Sequence, residues 1–440
     1  MKKIFKIAGP SIVSNITVPL LGAVDVAITG HIGDARYMAA IAVGAMMFNL
    51  VYWLFGFLRM GTSGLTSQAL GARNLDETTR LLTRAIAVAE GIALLFIVLQ
   101  WPLRETLIWL MGPEDEVKSL ARRYFCICIW GAPAVMGLYG MNGWLIGMQN
   151  TRTPMVVAIV QNVVNIIASL FLVFVVGMKI EGVATGTLIA QWTGLIMAVG
   201  MTRHGYGRLF ARHPATKDRA MLFDRKKMGE FFRVNRDLFL RTCFLVGVNF
   251  FFTAAGARQG AEILAVNTVL MQFFLFFSYF MDGFANAGEA LAGRYYGAGN
   301  ATMLRQTIGR LFAWGAITTA TFTAVYLAFG NGIVGLLTDN ADVIAAARPY
   351  QFWTIVIPVV GVSAFVWDGV FIGLTMSRGM LGSSVVAALA FFATFFINSH
   401  LKLLPENHAL WLAQVVYLAM RGITQSWIYA RREPTLFRAH

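Results

Sequence analysis

SNITVPLLGAVDVAITGH, residues 14–31, places one carboxylate, Asp25, inside an otherwise apolar run. Apolar residues extend from about Ile7 to Ile32, and at 1.5 Å per residue a helix of that length crosses a bilayer's hydrocarbon core. The stretch reads as a membrane helix carrying an acid. An ionised aspartate there is costly unless it is paired, wetted or protonated, so such residues mark ion or substrate pathways. The competing reading is an aspartate reaching to the membrane edge, since Gly30, His31, Gly33 and Asp34 follow closely. Pro19 lacks an amide donor and permits a bend one to two turns before the acid, which makes it a candidate hinge.

The rest of the chain has the same character. Of its 440 residues, 57% are hydrophobic and 13% charged, and the mean hydropathy is +0.64. A soluble domain carries about 25% charged residues, so a polytopic helical membrane protein is expected. Long unbroken apolar runs exclude the short alternating segments of a transmembrane barrel. The formal charge of +14 does not point to nucleic acid, because most lysines and arginines lie between apolar segments, where they set topology. Lys2, Lys3 and Lys6 precede an apolar run as in a signal peptide. That run is too long, contains Pro10 and Pro19, and lacks a small-residue cleavage site, so it reads as a retained first span. Cys126, Cys128 and Cys243 fall in apolar stretches and read as packing residues.

Apolar segments occur at roughly 7–32, 38–70, 81–103, 122–148, 155–177, 182–202, 236–256, 262–293, 306–330, 350–376, 380–400 and 409–430. The expected fold is therefore all-α with twelve transmembrane helices. The asymmetry of basic residues predicts that both termini are cytoplasmic. A basic linker at 206–234 separates a six-helix lobe at 1–205 from another at 235–440; such a cytoplasmic linker is held near anionic headgroups. The halves repeat. "QALGARN" (68–74) answers "RYYGAGN" (294–300), and "NGWLIGMQNTR" (142–152) answers "DGVFIGLTMSR" (368–378). Gly71 and Gly297 are 226 residues apart (297 − 71), as are Arg84 and Arg310, Gly143 and Gly369, and Arg152 and Arg378. Six spans followed by a similar six predict two pseudo-symmetric bundles related by an axis along the membrane normal.

Polar residues inside spans are the candidate site. Gln161, Asn165 and Ser169 recur every four residues on one face of span five, with Asn162 beside them. Thr187 and Gln191 form a second stripe on span six. Each stripe either lines a cavity or bonds neighbouring helices. The second half contributes Asp282 and Glu289 on span eight and Asp368 on span ten. Asp368 ranks second to Asp25 as a coupling site, and Glu289 is open to pairing with a base such as Arg294. Arg59 is expected to be the only arginine well inside a span; the sequence leaves open whether it meets an acid. No phosphate-binding glycine loop, nucleophile–base pair or metal-spaced His/Cys cluster is present, so neither an enzyme nor a metal or cofactor is expected.

Several stretches together resemble the multidrug and toxic compound extrusion (MATE) transporters, in their DinF-like branch. They are "SNITVPLLGAVDVAITGHIG" (14–33), "RMGTSGLTSQALGARN" (59–74), "ILAVNTVLMQ" (263–272), "MDGFANAGEALAGRYYGAGN" (281–300) and "IPVVGVSAFVWDGVFIG" (357–373). The resemblance implies twelve helices in two lobes and export of organic cations or amphipathic compounds in exchange for protons or sodium. It aligns Asp25 with the first-helix acid that takes up the coupling ion, Asn165 with its fifth-helix partner, and Asp368 with a tenth-helix acid. Where the family often carries an aspartate one turn past that asparagine, this chain has Ser169.

The expected function is thus proton-coupled, less readily sodium-coupled, multidrug efflux across the inner (plasma) membrane, with small amphipathic or cationic substrates. No nucleic-acid partner is expected. A monomer is, since one chain holds both halves. The alternatives are a flippase of lipid-linked precursors, which would line its cavity with cations, and a non-transporting membrane scaffold, which would need neither Asp25 nor Asp368.

Overall fold

Inside hydrocarbon a backbone must satisfy its hydrogen bonds within its own segment, so each apolar run is committed to helix. The computed structural model describes residues 2–30, 35–215, 219–222 and 224–437, with backbone alone for 18–30, 35, 219 and 220. The first half comprises α1 (Lys2–Gly30), α2 (Ala35–Phe55), α3 (Phe57–Gly71), α4 (Leu75–Val98), α5 (Gln100–Met111), α6 (Asp115–Cys128), α7 (Ala132–Gly147), α8 (Arg152–Leu170) and α9 (Ile180–Arg212). A short α10 (Arg219–Leu222) leads to α11 (Arg225–Arg258), α12 (Ala261–Gly297), α13 (Ala301–Leu337), α14 (Ala341–Ala347), α15 (Gln351–Gly373), α16 (Ser377–Leu401) and α17 (Glu406–Arg432). No strand occurs among the described residues.

Ten of these stretches are long and apolar enough to cross a membrane. With α1 and α17, of 29 and 27 residues, they make up the expected twelve spans. The second span breaks at Gly56, whose amide bonds Trp53 O at 3.1 Å, so α2 and α3 are separate helices. The fourth joins α6 to α7 through a 3₁₀ turn at Ile129–Gly131, with Pro133 in the first turn of α7, where its missing donor costs nothing. Ala301–Leu337 is apolar, yet only 17% of its most apolar window is buried, which leaves the remainder to face lipid. Leu327 and Phe329 on it are largely exposed.

The chain forms two units, Val13–Glu230 and Met1–Ile12 with Phe231–His440. In the first, α9 runs to Arg212 and α11 begins at Arg225, so the basic connection is largely helical. Buried Arg84 anchors it: Nε and Nη2 donate to the Leu222 and Met221 carbonyls at 2.6 and 2.7 Å, and Nη1 meets Glu77 at 2.6 Å. On α5, beyond the other end of α4, Glu105 accepts from Arg122 Nη2 at 2.6 Å and Arg104 Nε at 2.9 Å. The Arg122 hydrogen bond, reinforced by Arg104, lowers its pKa below the usual carboxylate value against a smaller opposing effect of burial. Cys126 is exposed and accepts from Arg104 at 3.0 Å, so it is not the packing residue expected; Cys128 is buried.

In the second unit Asn267 and Asn407 exchange amide hydrogen bonds at 2.8 and 3.1 Å between α12 and α17, and Trp411 Nε1 donates to Asn267 at 2.9 Å. Phe5 of α1 packs edge-on against Trp314, with ring centroids 4.4 Å apart.

The internal repeat extends to backbone detail. Arg73 and Gly299 both have positive φ, 57° and 67°, and so do Gln149 and Thr375, 63° and 50°; each pair keeps the 226-residue interval (299 − 73 and 375 − 149). Asn74 and Asn300 then cap the following helices through bonds to the amides of Glu77 and Met303, at 3.0 and 2.9 Å. Gly143 of α7 lies so close to α3 that a Cβ would stand 2.4 Å from Arg59 O. Gly369 of α15 meets α12 likewise, at 2.2 Å from Ala285 O. Backbone contact this close requires glycine on one side; Gly147 against Ser63 O, at 2.8 Å, and Gly373 against Glu289 O, at 2.7 Å, repeat it one turn on.

Candidate functional site

In the first unit the stripe on α8 faces α9. Asn165 and Ser169 are fully buried. Asn165 Nδ2 donates to Thr187 Oγ1 at 3.1 Å, and Thr187 donates onward to Val183 O at 3.0 Å. Ser169 lies beneath Gly186, where a Cβ would come within 2.3 Å of its hydroxyl oxygen, and Gln161 lies against Gly194. Small residues on α9 thus make room for the polar side chains of α8. Gln191 turns instead toward Gly131 at the 3₁₀ turn. Asn165 Oδ1 and Ser169 Oγ have no hydrogen-bond partner among the described residues, so each keeps an acceptor free. Asn162, next along α8, donates to Thr17 O of α1 at 3.0 Å, two residues before Pro19. The side chains of Asp25 and Pro19 lie outside the described residues. Arg59 of α3 is partly buried, and its charge reaches Tyr139 of α7.

The second unit holds a denser cluster. Asp368 of α15 accepts through Oδ2 from Arg241 Nη2 of α11 and Arg421 Nη2 of α17, and through Oδ1 from Gln425 Nε2 at 2.8 Å. The two guanidiniums are 8% and 4% exposed. The Tyr417 ring lies 5.5 Å from the Arg421 guanidinium, a cation–π contact. Asp282 of α12, which accepts from Ser278 at 3.4 Å, acts electrostatically on both arginines, so two carboxylates stand against two guanidiniums. Glu289 is 1% exposed, and its carbonyl lies under Gly373. The fold therefore gathers Asp368 and Asp282 into one cluster, and Asn165, Ser169 and Thr187 into another.

One expectation for the site changes. Arg59 is not the only arginine inside a span, because Arg241 and Arg421 are buried mid-helix. Both were legible: "LFLRTCFL" (238–245) and "YLAMRGIT" (417–424) set an arginine among apolar residues. Asp368 is no bare carboxylate. Guanidiniums stay protonated, so they are fixed charges, and the cluster pins α11, α15 and α17 through one ion-paired acid. Sequence reasoning also passed over Glu90, an acid in the third span. Among the described residues no group of three or more metal-ligating side chains gathers.

A family model, MatE, matches residues 10–171 and 238–398. The chain belongs to the MatE family. One matched segment falls in each half of the chain. Over its full length the chain is 36% identical to the DNA damage-inducible protein F of Escherichia coli, covering 94% of that protein. A probable multidrug resistance protein NorM of Pseudomonas syringae is 24% identical, over 77% of this chain and 74% of its own length. A crystal structure of MATE in the bent conformation matches with TM-score 0.87 at 18% identity, covering 100% of this chain and 96% of that one. The Vibrio cholerae MATE transporter VcmN in the bent form matches with TM-score 0.85 at 19% identity, covering 100% and 97%. These structures share the MatE fold with this chain, whose family is one of transporters and not of enzymes.

Proposed function

We propose that this MatE protein is a secondary antiporter that exports organic cations or amphipathic compounds in exchange for protons. It would reside in the inner (plasma) membrane with both termini cytoplasmic and work as a monomer. The reading is carried by the match of both halves to MatE, in a chain related to a probable multidrug resistance protein. The acceptors that Asn165 and Ser169 keep free on α8 support it.

In the mechanism, a proton entering from outside discharges Asp25, α1 bends near Pro19, and substrate is released outward. Asn162, bonded to Thr17 O, supplies the α8 contact through which that bend is felt. Coupling is the differential affinity of two conformations for proton and substrate. In everted membrane vesicles, Asp25→Asn is expected to abolish ethidium movement that a protonophore also abolishes. Full proton-driven movement by Asp25→Asn would refute the reading.

Arg241 and Arg421 favour a second reading, a flippase of anionic lipid-linked precursors, since such a protein needs cations inside the bundle. Their engagement with Asp368 and the proximity of Asp282 neutralise them, which favours export of cations. Vesicles that translocated a lipid-linked pyrophosphate but no dye would reverse that preference.

A further inference from the structure

Between α4, α7 and α9 of the first unit lies a cavity of about 850 Å³. Its position along the helices follows from the bonds at its base. His213 Nδ1 lies 2.9 Å from Asp76 Oδ1, and Thr79 Oγ1 donates to His213 O at 2.8 Å, so the start of α4 and the end of α9 are level. Pro214 and Ala215 line the cavity at that level. Glu90, also lining it, is fourteen residues beyond Asp76 (90 − 76), hence roughly 21 Å farther along α4. The cavity thus runs from the connection between the lobes to a carboxylate deep in the span.

Glu90 is partly buried, and no hydrogen bond or ion pair holds it among the described residues. Its carboxylate rests over Gly137 of α7, where a Cβ would stand 2.9 Å from Oε1. Thr202, 3% exposed, also lines the cavity, with a hydroxyl that has no partner among the described residues. The walls are otherwise mostly apolar, Ile86, Met141, Leu195 and Phe210 among them. Arg203, the other charged lining residue, is exposed and forms no ion pair with Glu90. A lone carboxylate at this depth is costly without a counter-charge. A cation with a bulky apolar body supplies the charge and fills the walls together, the combination expected of a ligand pocket.

We propose that this cavity binds a lipophilic organic cation, with Glu90 as its counter-charge and Thr202 as a polar contact. The proposal deepens the efflux reading by naming a binding site in the first unit, and it rests on that reading only for the direction of transport. Tetraphenylphosphonium and tetraphenylborate, alike in shape and opposite in charge, test it by equilibrium dialysis against the purified full-length protein in detergent. Glu90→Gln is expected to weaken phosphonium binding at least 10-fold without weakening borate binding. Met141→Trp, which fills the cavity, is expected to weaken phosphonium binding with the carboxylate intact. Arg203→Ala is expected to leave phosphonium binding unchanged or tighter. Unaltered phosphonium binding by Glu90→Gln, or equal loss of both ions, would overturn the assignment. Because dialysis needs no proton gradient, failure of this site and failure of Asp25-driven transport are read separately.

Discussion

Replacing Asp368 with asparagine removes the one charge to which Arg241 and Arg421 both donate. Two nearly buried guanidiniums are then left facing each other. At a separation of about 4–5 Å and an effective dielectric of about 20, like unit charges repel by roughly 3–4 kcal/mol. Breaking a buried ion pair by deleting one partner costs about 3–5 kcal/mol in measured cases. Asp282 offsets part of this through its own field, so a loss of about 3–4 kcal/mol is expected for Asp368→Asn. Arg241→Met should cost less, because the Arg421 and Gln425 bonds to Asp368 remain. The triple variant Asp368→Leu/Arg241→Met/Arg421→Met should recover most of the loss, since no unpaired charge stays buried. Denaturant titration of the detergent-solubilised protein, followed by tryptophan fluorescence, reads all three. If Asp368→Asn is no less stable than Arg241→Met, or if the triple variant is the least stable, the ion-pair reasoning is wrong.

Gly369→Ala puts a Cβ 2.2 Å from Ala285 O, and overpacking of this kind costs about 1–3 kcal/mol. Gly382→Ala meets nothing within 4 Å, so melting temperature should fall for the first and not the second. Arg84→Met deletes the three bonds that hold Met221, Leu222 and Glu77. Trypsin should then cleave near Arg219 and Arg225 several-fold faster, with little change elsewhere. Glu105 has its pKa lowered by Arg122 and Arg104, so its contribution is present above the unfolded carboxylate value and disappears as pH falls through the folded one. Being partly exposed, the pair is worth under about 1 kcal/mol. Glu105→Gln should therefore lower the melting temperature slightly at pH 7 and not at all at the acid end of the titration.

Much of the architecture was legible because a bilayer leaves few choices. An apolar run of sufficient length must be helix, so the sequence carries twelve spans, and its 226-residue interval carries the repeat. Even the pairing of Gly143 with Gly369 had structural content, since each marks a close helix approach in its own unit. The charged cluster was less legible. Arg241 and Arg421 stand out singly as arginines within apolar runs, but only the tertiary arrangement of α11, α15 and α17 brings both to Asp368. Glu90 was equally hidden, since one acid in a long apolar helix says nothing about which neighbour it faces.

Composition and periodicity by themselves determined that this chain is helical, membrane-spanning and duplicated, because those properties depend on segment length, polarity and recurrence along one dimension. Which polar groups meet was decided by tertiary structure alone. Asn165 finds Thr187 across α8 and α9, and Asp368 gathers an arginine from each of two helices more than 50 residues away in sequence. Such partners are set by the rotation and close approach of whole helices, and a helix's own sequence carries its polar face but not the identity of what that face will touch.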